Sequence, residues 1–229
     1  QVEEVWKTVK AEGDDFKTEV VKVKGLAKAD DKQVGSFRYV AIDLDTGIVN
    51  KPDYPDISNE YFLYFSNKFV WWGKNNRLAY FVDADRYHKA VRLVEFDTKT
   101  GTTRVLLEEK SKTYFNFSHC AEDQPVMIPL PETEELLWFS ERSGYGHLYL
   151  YDLKTGELKT VVTTGEWLVR TVVRYEAKRR EIFLQTAGRD PALDPYYRDL
   201  VRVNIDTGEL FAVAHSNHDI EAYSSQSAA

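Results

Sequence analysis

Leu148-Tyr149-Leu150-Tyr151-Asp152-Leu153-Lys154-Thr155-Gly156-Glu157-Leu158 decides the fold. Four apolar residues in a row suit a strand buried on both faces. The Asp152-Leu153-Lys154-Thr155-Gly156 stretch that follows is a turn: aspartate can bond its own backbone two residues on, and glycine supplies a positive φ. The same pattern occurs three more times. Arg38 to Ile42 runs into Asp43-Leu44-Asp45-Thr46-Gly47, Val91 to Phe96 into Asp97-Thr98-Lys99-Thr100-Gly101, and Leu200 to Val203 into Asn204-Ile205-Asp206-Thr207-Gly208. The four glycines are 54, 55 and 52 residues apart. Short strands follow the later turns, at Thr103 to Leu107, Leu158 to Val162 and Leu210 to Val213.

Each hairpin is preceded by two further strand candidates. These are Phe69 to Trp72 and Leu78 to Val82, then Val126 to Leu130 and Glu135 to Ser140, then Leu168 to Arg174 and Glu181 to Gln185. The first repeat would use Glu4 to Lys10 and Thr18 to Lys24, with a looser join. Four strands per ~50 residues is the period of a β-propeller blade. The expected fold is therefore all-β: a partial propeller of about four four-stranded antiparallel blades. They cover about 1–55, 60–110, 124–163 and 165–213, and 214–229 is the start of a further strand or a tail. A generic β-sandwich is the competing architecture, and three near-equal spacings of one turn motif argue against it.

Composition points the same way. The 229 residues include five Trp, 14 Tyr and 12 Phe but one Met, and no segment sustains a 3.6-residue apolar period. Aromatic and β-branched residues fit a pleated, half-buried surface. Clean apolar runs such as Leu136 to Phe139 fall far short of the ~20 residues of a membrane helix. Net charge is −7, from 37 acids and 30 bases, which argues against a nucleic-acid scaffold. The basic run Lys178-Arg179-Arg180 reads as a polar turn between strands. Cys120 is the single cysteine, so no intrachain disulfide and no cysteine-based zinc site can form. The sequence does not fix the compartment; a periplasmic or extracellular one is preferred to the cytoplasm.

The third and fourth repeats carry more than periodicity. Trp138-Phe139-Ser140-Glu141-Arg142-Ser143-Gly144-Tyr145-Gly146-His147-Leu148-Tyr149-Leu150-Tyr151-Asp152 resembles the W-S-E-R-D-G-x-x-H-L-Y-L-Y-D stretch of the dipeptidyl peptidase IV family, serine exopeptidases of the prolyl oligopeptidase clan. Thr164-Gly165-Glu166-Trp167-Leu168-Val169 is similar to the family's T-x-G-x-W-x-V blade start. Gly188-Arg189-Asp190 with Asp194-Pro195-Tyr196-Tyr197-Arg198 resembles its G-R-E/D…D-P-Y-Y-R stretch. Asp85-Arg86, Arg92 to Glu95, Thr100 to Arg104 and Glu108-Glu109 fit the blade before. The resemblance spans about residues 60–215 and is loose over 1–55. It implies an eight-bladed propeller capped by an α/β-hydrolase domain, of which this chain would be roughly the second half, ending before the hydrolase.

No Gly-x-Ser-x-Gly nucleophile elbow occurs in these 229 residues, so no catalytic Ser-Asp-His set is expected here. The resemblance also implies an adjacent glutamate pair that anchors a substrate amine. Glu3-Glu4, Glu108-Glu109 and Glu134-Glu135 lie outside the matching context and read as solvated. Residues expected to face substrate are Glu141, Arg142, Arg189, Asp190, Tyr196 and Tyr197. Each has a structural reading beside it: Glu141 and Arg142 as an ion pair at a strand end, Arg189 and Asp190 as the fixing of a loop. Tyr145 and His147 resemble family positions, with His147 read as buried and satisfied by backbone. His215-Ser216-Asn217-His218-Asp219 crowds possible metal ligands but lacks partners nearby, so neither a metal nor a cofactor is expected. Asn116-Phe117-Ser118 is a glycosylation sequon that carries no weight alone.

The function expected is a non-catalytic propeller segment of a dipeptidyl-peptidase-IV-like serine exopeptidase. It would gate and position peptide substrates for an α/β-hydrolase domain of the parent chain. The alternative is a stand-alone propeller that binds protein or glycan. An independent enzyme would need acids clustered at matching blade positions, and the repeats show none. Expected partners are that hydrolase domain, a peptide and, through uncovered terminal blades, a second copy in a homodimer; neither nucleic acid nor a membrane span is expected.

Overall fold

The repeated turn owes its shape to one side chain and one glycine. In the computed structural model, Oδ1 of Asp152 accepts from the backbone N–H of Lys154 (2.7 Å) and Thr155 (3.0 Å), and the Gly156 N–H donates to the Asp152 carbonyl at 2.8 Å. Asp43, Asp97 and Asn204 do the same in their copies. The four glycines have φ between +71° and +83°. The structure describes residues 34–58, 69–117 and 126–223, together with the backbone of 2–10 and 16–24. Cys120 and Ser118 lie outside the described residues.

The chain divides into two units, Gln1–Ser36 and Phe37–Ala229. In the first, β1 (Val2–Lys10) and β2 (Phe16–Lys24) pair antiparallel from Val2↔Lys24 to Lys10↔Phe16. The second opens with the short hairpin β3 (Ala41–Ile42) and β4 (Val49–Asn50). Three four-stranded antiparallel sheets follow. They are β5 (Val70–Trp72), β6 (Leu78–Ala84), β7 (Ala90–Asp97), β8 (Thr103–Lys110); β9 (Met127–Leu130), β10 (Glu135–Ser140), β11 (His147–Asp152), β12 (Leu158–Val161); and β13 (Leu168–Glu176), β14 (Glu181–Ala187), β15 (Arg198–Asn204), β16 (Leu210–Ala214). Each is a simple meander, with its Thr-Gly turn between third and fourth strands. Among the described residues there is no helix, hence none long and apolar enough to cross a membrane. The fold is an all-β partial propeller.

The first repeat differs from the other three. Its expected strands form two separate two-stranded sheets rather than one of four. Pro52 and Pro55 offer no N–H to extend the β4 ladder. The chain after β4 instead bridges Phe37↔Ile57 and donates from Asp53 N–H to the Gly101 carbonyl at 2.7 Å.

Strand alternation explains the stacking of the three full sheets. In β10, Leu136 and Trp138 enter a core shared with the β5–β8 sheet, which holds Phe81, Val94 and Phe96. Leu137 and Phe139 point the other way, into a core shared with Val169, Leu184 and Val201 of the β13–β16 sheet. In β11, Tyr149 and Tyr151 join the first core, and Leu148 and Leu150 the second. All eight are at most 5% exposed. A strand sandwiched between sheets needs no polar face, hence the unbroken apolar runs.

At the rim, the turn of each of the three full sheets abuts the segment that precedes its sheet. A Cβ placed on Gly156 would lie 2.2 Å from the Leu106 carbonyl oxygen of β8. On Gly101 it would lie 2.8 Å from the Lys51 carbonyl, and on Gly208 3.3 Å from that of Val161 in β12. Side chains hook the same joints: Arg104 Nη2 donates to the Lys154 carbonyl (2.9 Å) and Thr160 Oγ1 to that of Asp206 (3.3 Å). Below the second joint, Glu135 is 2% exposed and paired with Lys159 and Arg180, while Arg180 also holds Asp206. Glu135 is thus an inter-sheet tie, correcting the expectation of a solvated residue. Its neighbour Glu134 is half-buried, at φ +54°, and pairs with Lys154.

Candidate functional site

Glu109 is the penultimate residue of β8, with its side chain only 12% exposed. Its carboxylate accepts from Trp138 Nε1 at 3.1 Å, from Ser140 Oγ, and from Arg142 Nη2 at 2.6 Å. Arg142 is fixed on every side. Its Nε donates to Ser140 Oγ (2.9 Å) and its Nη1 to the Tyr151 hydroxyl (2.7 Å), and its guanidinium lies 4.2 Å over the Tyr149 ring. Charge-assisted bonds and a cation–π contact converge on one cation, the strongest way to hold an arginine. The partner of Arg142 is therefore Glu109, not Glu141. Glu109 itself is a largely buried anchor rather than a solvated residue, whereas Glu108 is exposed and pairs with Arg92 and Lys110.

Glu109 and Arg142 form the floor of a cleft of about 440 Å³ between the 109–116 segment and the turn after β10. Glu141 lines it, with no ion-pair partner among the described residues. Burial pushes its carboxyl up from the usual range. Tyr114 stands on the opposite wall, half exposed, with its ring stacked on His88 at 4.7 Å. The cleft thus offers a free carboxylate and an aromatic face above an immobile guanidinium. Such a set can accept a cationic or polar group.

Arg189 and Asp190 line a second, smaller cleft of about 350 Å³ with Asp199 and His215. His215 Nδ1 meets Asp199 Oδ1 at 2.8 Å and its Nε2 meets Asp190 Oδ2 at 3.3 Å. Arg189 approaches Asp199 at 3.6 Å and lies over Trp167. Asp219 pairs with Arg198, and no cluster able to hold a metal ion occurs among the described residues. Tyr196 and Tyr197 line neither cleft. They close the Asp194 turn, Tyr196 being 79% and Tyr197 37% exposed. The six candidates thus fall in three places.

His147 is fully buried. Leu148 N–H donates to Thr163 Oγ1, that hydroxyl donates to His147 Nδ1 (3.0 Å), and Nε2–H donates to the Gly165 carbonyl (3.0 Å). Burial lowers its pKa, so the ring is a neutral structural strut.

His215 behaves in the opposite sense. The hydrogen bond and the charge of Asp199, then Asp190, raise its pKa above the ordinary 6.5. A raised pKa means that the tie is at full strength below the unfolded value and is lost as pH rises through the folded one. A proton NMR titration should place His215 above 6.5, and Asp199→Asn should bring it back toward that value. A midpoint unmoved by the substitution would refute the assigned pairing.

With this geometry in hand, comparison with known proteins is direct. The dipeptidyl peptidase IV (DPP IV) N-terminal region, as a family model, matches residues 26–229. The chain belongs to that family. Two crystal structures share the fold of the DPP IV N-terminal region seen here. One is a Bacteroides ovatus ATCC 8483 protein assigned as a dipeptidyl aminopeptidase IV, at TM-score 0.60 and 18% identity over 91% of this chain. The other is Porphyromonas gingivalis dipeptidyl peptidase 4, at TM-score 0.61 and 16% identity over 94% of this chain. The chain spans 29% and 28% of their respective lengths.

Sequence reasoning names Glu141 and Arg142, which line the larger cleft, and Arg189 and Asp190, which line the smaller, but it reads Glu109 as solvated and His215 only as a possible metal ligand, and it gives Asp199 no role. One signal was available for Glu109. It lies two residues after Leu107 on one strand, so both share a face, and Leu107 packs against the first core.

Proposed function

We propose that this chain is a non-catalytic propeller segment of a DPP-IV-like serine exopeptidase, gating and positioning peptide substrates for an α/β-hydrolase domain of the parent protein. Membership of the DPP IV N-terminal family carries the reading. The cleft at Glu141 and Arg142 supports it: the floor is rigid, so a peptide laid against it keeps one orientation. Positioning of this kind lowers a barrier by removing orientational freedom before chemistry begins. The chain's own residues bind and orient; hydrolysis belongs to the Ser, Asp and His of the hydrolase.

The test has two arms. NMR titration of the 229-residue chain with a short peptide should shift resonances around Glu141, Arg142 and Tyr114, and Glu141→Gln should weaken that binding. A fluorophosphonate probe should label no serine of this chain, and Xaa-Pro substrates should release no dipeptide. Stoichiometric labelling with turnover that tracks it would overturn the non-catalytic assignment. Peptide shifts confined to other faces would overturn the positioning role.

A further inference from the structure

Five charged side chains line the larger cleft, and three of them are already engaged. Glu109 and Arg142 hold each other at 2.6 Å, and Lys110 Nζ reaches Glu108 at 2.8 Å. That leaves Glu141 and Lys112, neither of which has an ion-pair partner among the described residues. They differ in their surroundings. Lys112 is an exposed ammonium, well served by water. The Glu141 carboxyl has lost enough water for burial to disfavour its charged form. A carboxylate so placed gains from a cation that arrives with a ligand.

The opposite wall supplies the second half of a cation site. One face of the Tyr114 ring lies parallel to His88, at 4.7 Å with 7° between the planes, and the residue is still 51% exposed. The stack steadies the ring and leaves its other face to a ligand. An aromatic face attracts a cation through the ring quadrupole and covers an aliphatic stem. An anion in the same space would meet the Glu141 charge and the negative face of the ring. Access is open as well: Gly144 lines the cleft beside Glu141, and a Cβ there would meet nothing within 4 Å among the described residues.

Resting on the positioning role given above, we propose that Glu141 and Tyr114 select peptides that carry a lysine or arginine side chain, the cation on the Glu141 carboxylate and the methylene stem along the Tyr114 ring. The Glu109–Arg142 pair beneath them is internally neutral, so it neither repels nor replaces the incoming cation. Recognition of a side chain makes no use of the peptide's α-amine, and a blocked N-terminus is no obstacle.

Three N-acetylated, C-amidated pentapeptides test this, with alanines flanking a central lysine, norleucine or glutamate. Each is titrated into the full 229-residue chain and followed by NMR. Blocked ends leave the central side chain as the only source of charge. The lysine peptide should bind roughly tenfold more tightly than the norleucine peptide, from a part-exposed ion pair and a cation–π contact together. Glu141→Gln should remove most of that preference without changing norleucine binding, and Glu141→Lys should turn it toward the glutamate peptide. Tyr114→Leu, which keeps an apolar wall, should cut the preference to about threefold. Both residues are exposed, so far-ultraviolet circular dichroism should be unchanged in all three variants. Equal binding of the three peptides at the cleft overturns the selection and leaves the positioning role standing. Tighter binding of the glutamate peptide to the wild type also overturns it, because Lys112 would then be the selecting residue. So does a lysine preference that Glu141→Gln leaves intact. If no peptide shifts the cleft resonances, the positioning role falls too.

Discussion

Gly156→Ala is expected to lower unfolding free energy by roughly 3–4 kcal/mol, with Gly47→Ala costing about 1 kcal/mol. Both glycines hold positive φ, +78° and +71°. An L-residue there costs roughly 1–2 kcal/mol. At Gly47 that is all, since a Cβ would meet nothing within 4 Å among the described residues. At Gly156 the new methyl would also lie 2.2 Å from the Leu106 carbonyl oxygen. The sheets would have to part, and overpacking of this sort adds roughly 1–3 kcal/mol. Urea unfolding followed by tryptophan fluorescence measures both. Equal costs at the two positions would show that the close approach at Gly156 is immaterial.

Glu109→Ala is expected to cost roughly 1–2 kcal/mol, because it removes the acceptor of part-buried donors while the cation left behind still reaches water. It strips the carboxylate from Arg142 and leaves the Trp138 Nε1 proton without its acceptor. Arg142 keeps 32% side-chain exposure and can recover some hydration, which limits the loss. Glu109→Gln retains an acceptor and should cost less than half as much. The effect should extend to binding, because an Arg142 released from Glu109 no longer holds the cleft floor still. Equal stability of wild type and Glu109→Ala would remove Glu109 from that role.

The architecture was legible because its cause is local. One aspartate or asparagine and one glycine per repeat set each hairpin, and both act within five residues. The apolar runs of β10 and β11 declare a sandwiched strand without help from the rest of the chain. The site was legible only in part. Glu141-Arg142 stands inside a recognisable stretch, but the partner of Arg142 lies 33 residues earlier, on another sheet. A glutamate in Leu107-Glu108-Glu109-Lys110 reads as solvated until the neighbouring sheet is packed against it. Asp199 and His215 present the same difficulty, since a pairing across the last two strands has no local signature. Glu135 is hidden similarly: its partners Lys159 and Arg180 come from two different sheets.

The rim joints are built mostly from main-chain carbonyls. Leu106, Val161, Lys154 and Asp206 contribute their oxygens, which every amino acid possesses. A joint of this kind constrains the turn glycine and one inward apolar residue, and leaves most other side chains at the rim open to substitution. Sequence can therefore drift over long evolutionary times while the stacking of sheets stays fixed. That accounts for a shared fold at 16–18% identity with the two bacterial proteins. It also predicts where drift should stop among descendants of a common ancestor: at the turn glycines and the residues equivalent to the buried Leu153 and Ile205, sooner than anywhere on the outer strands.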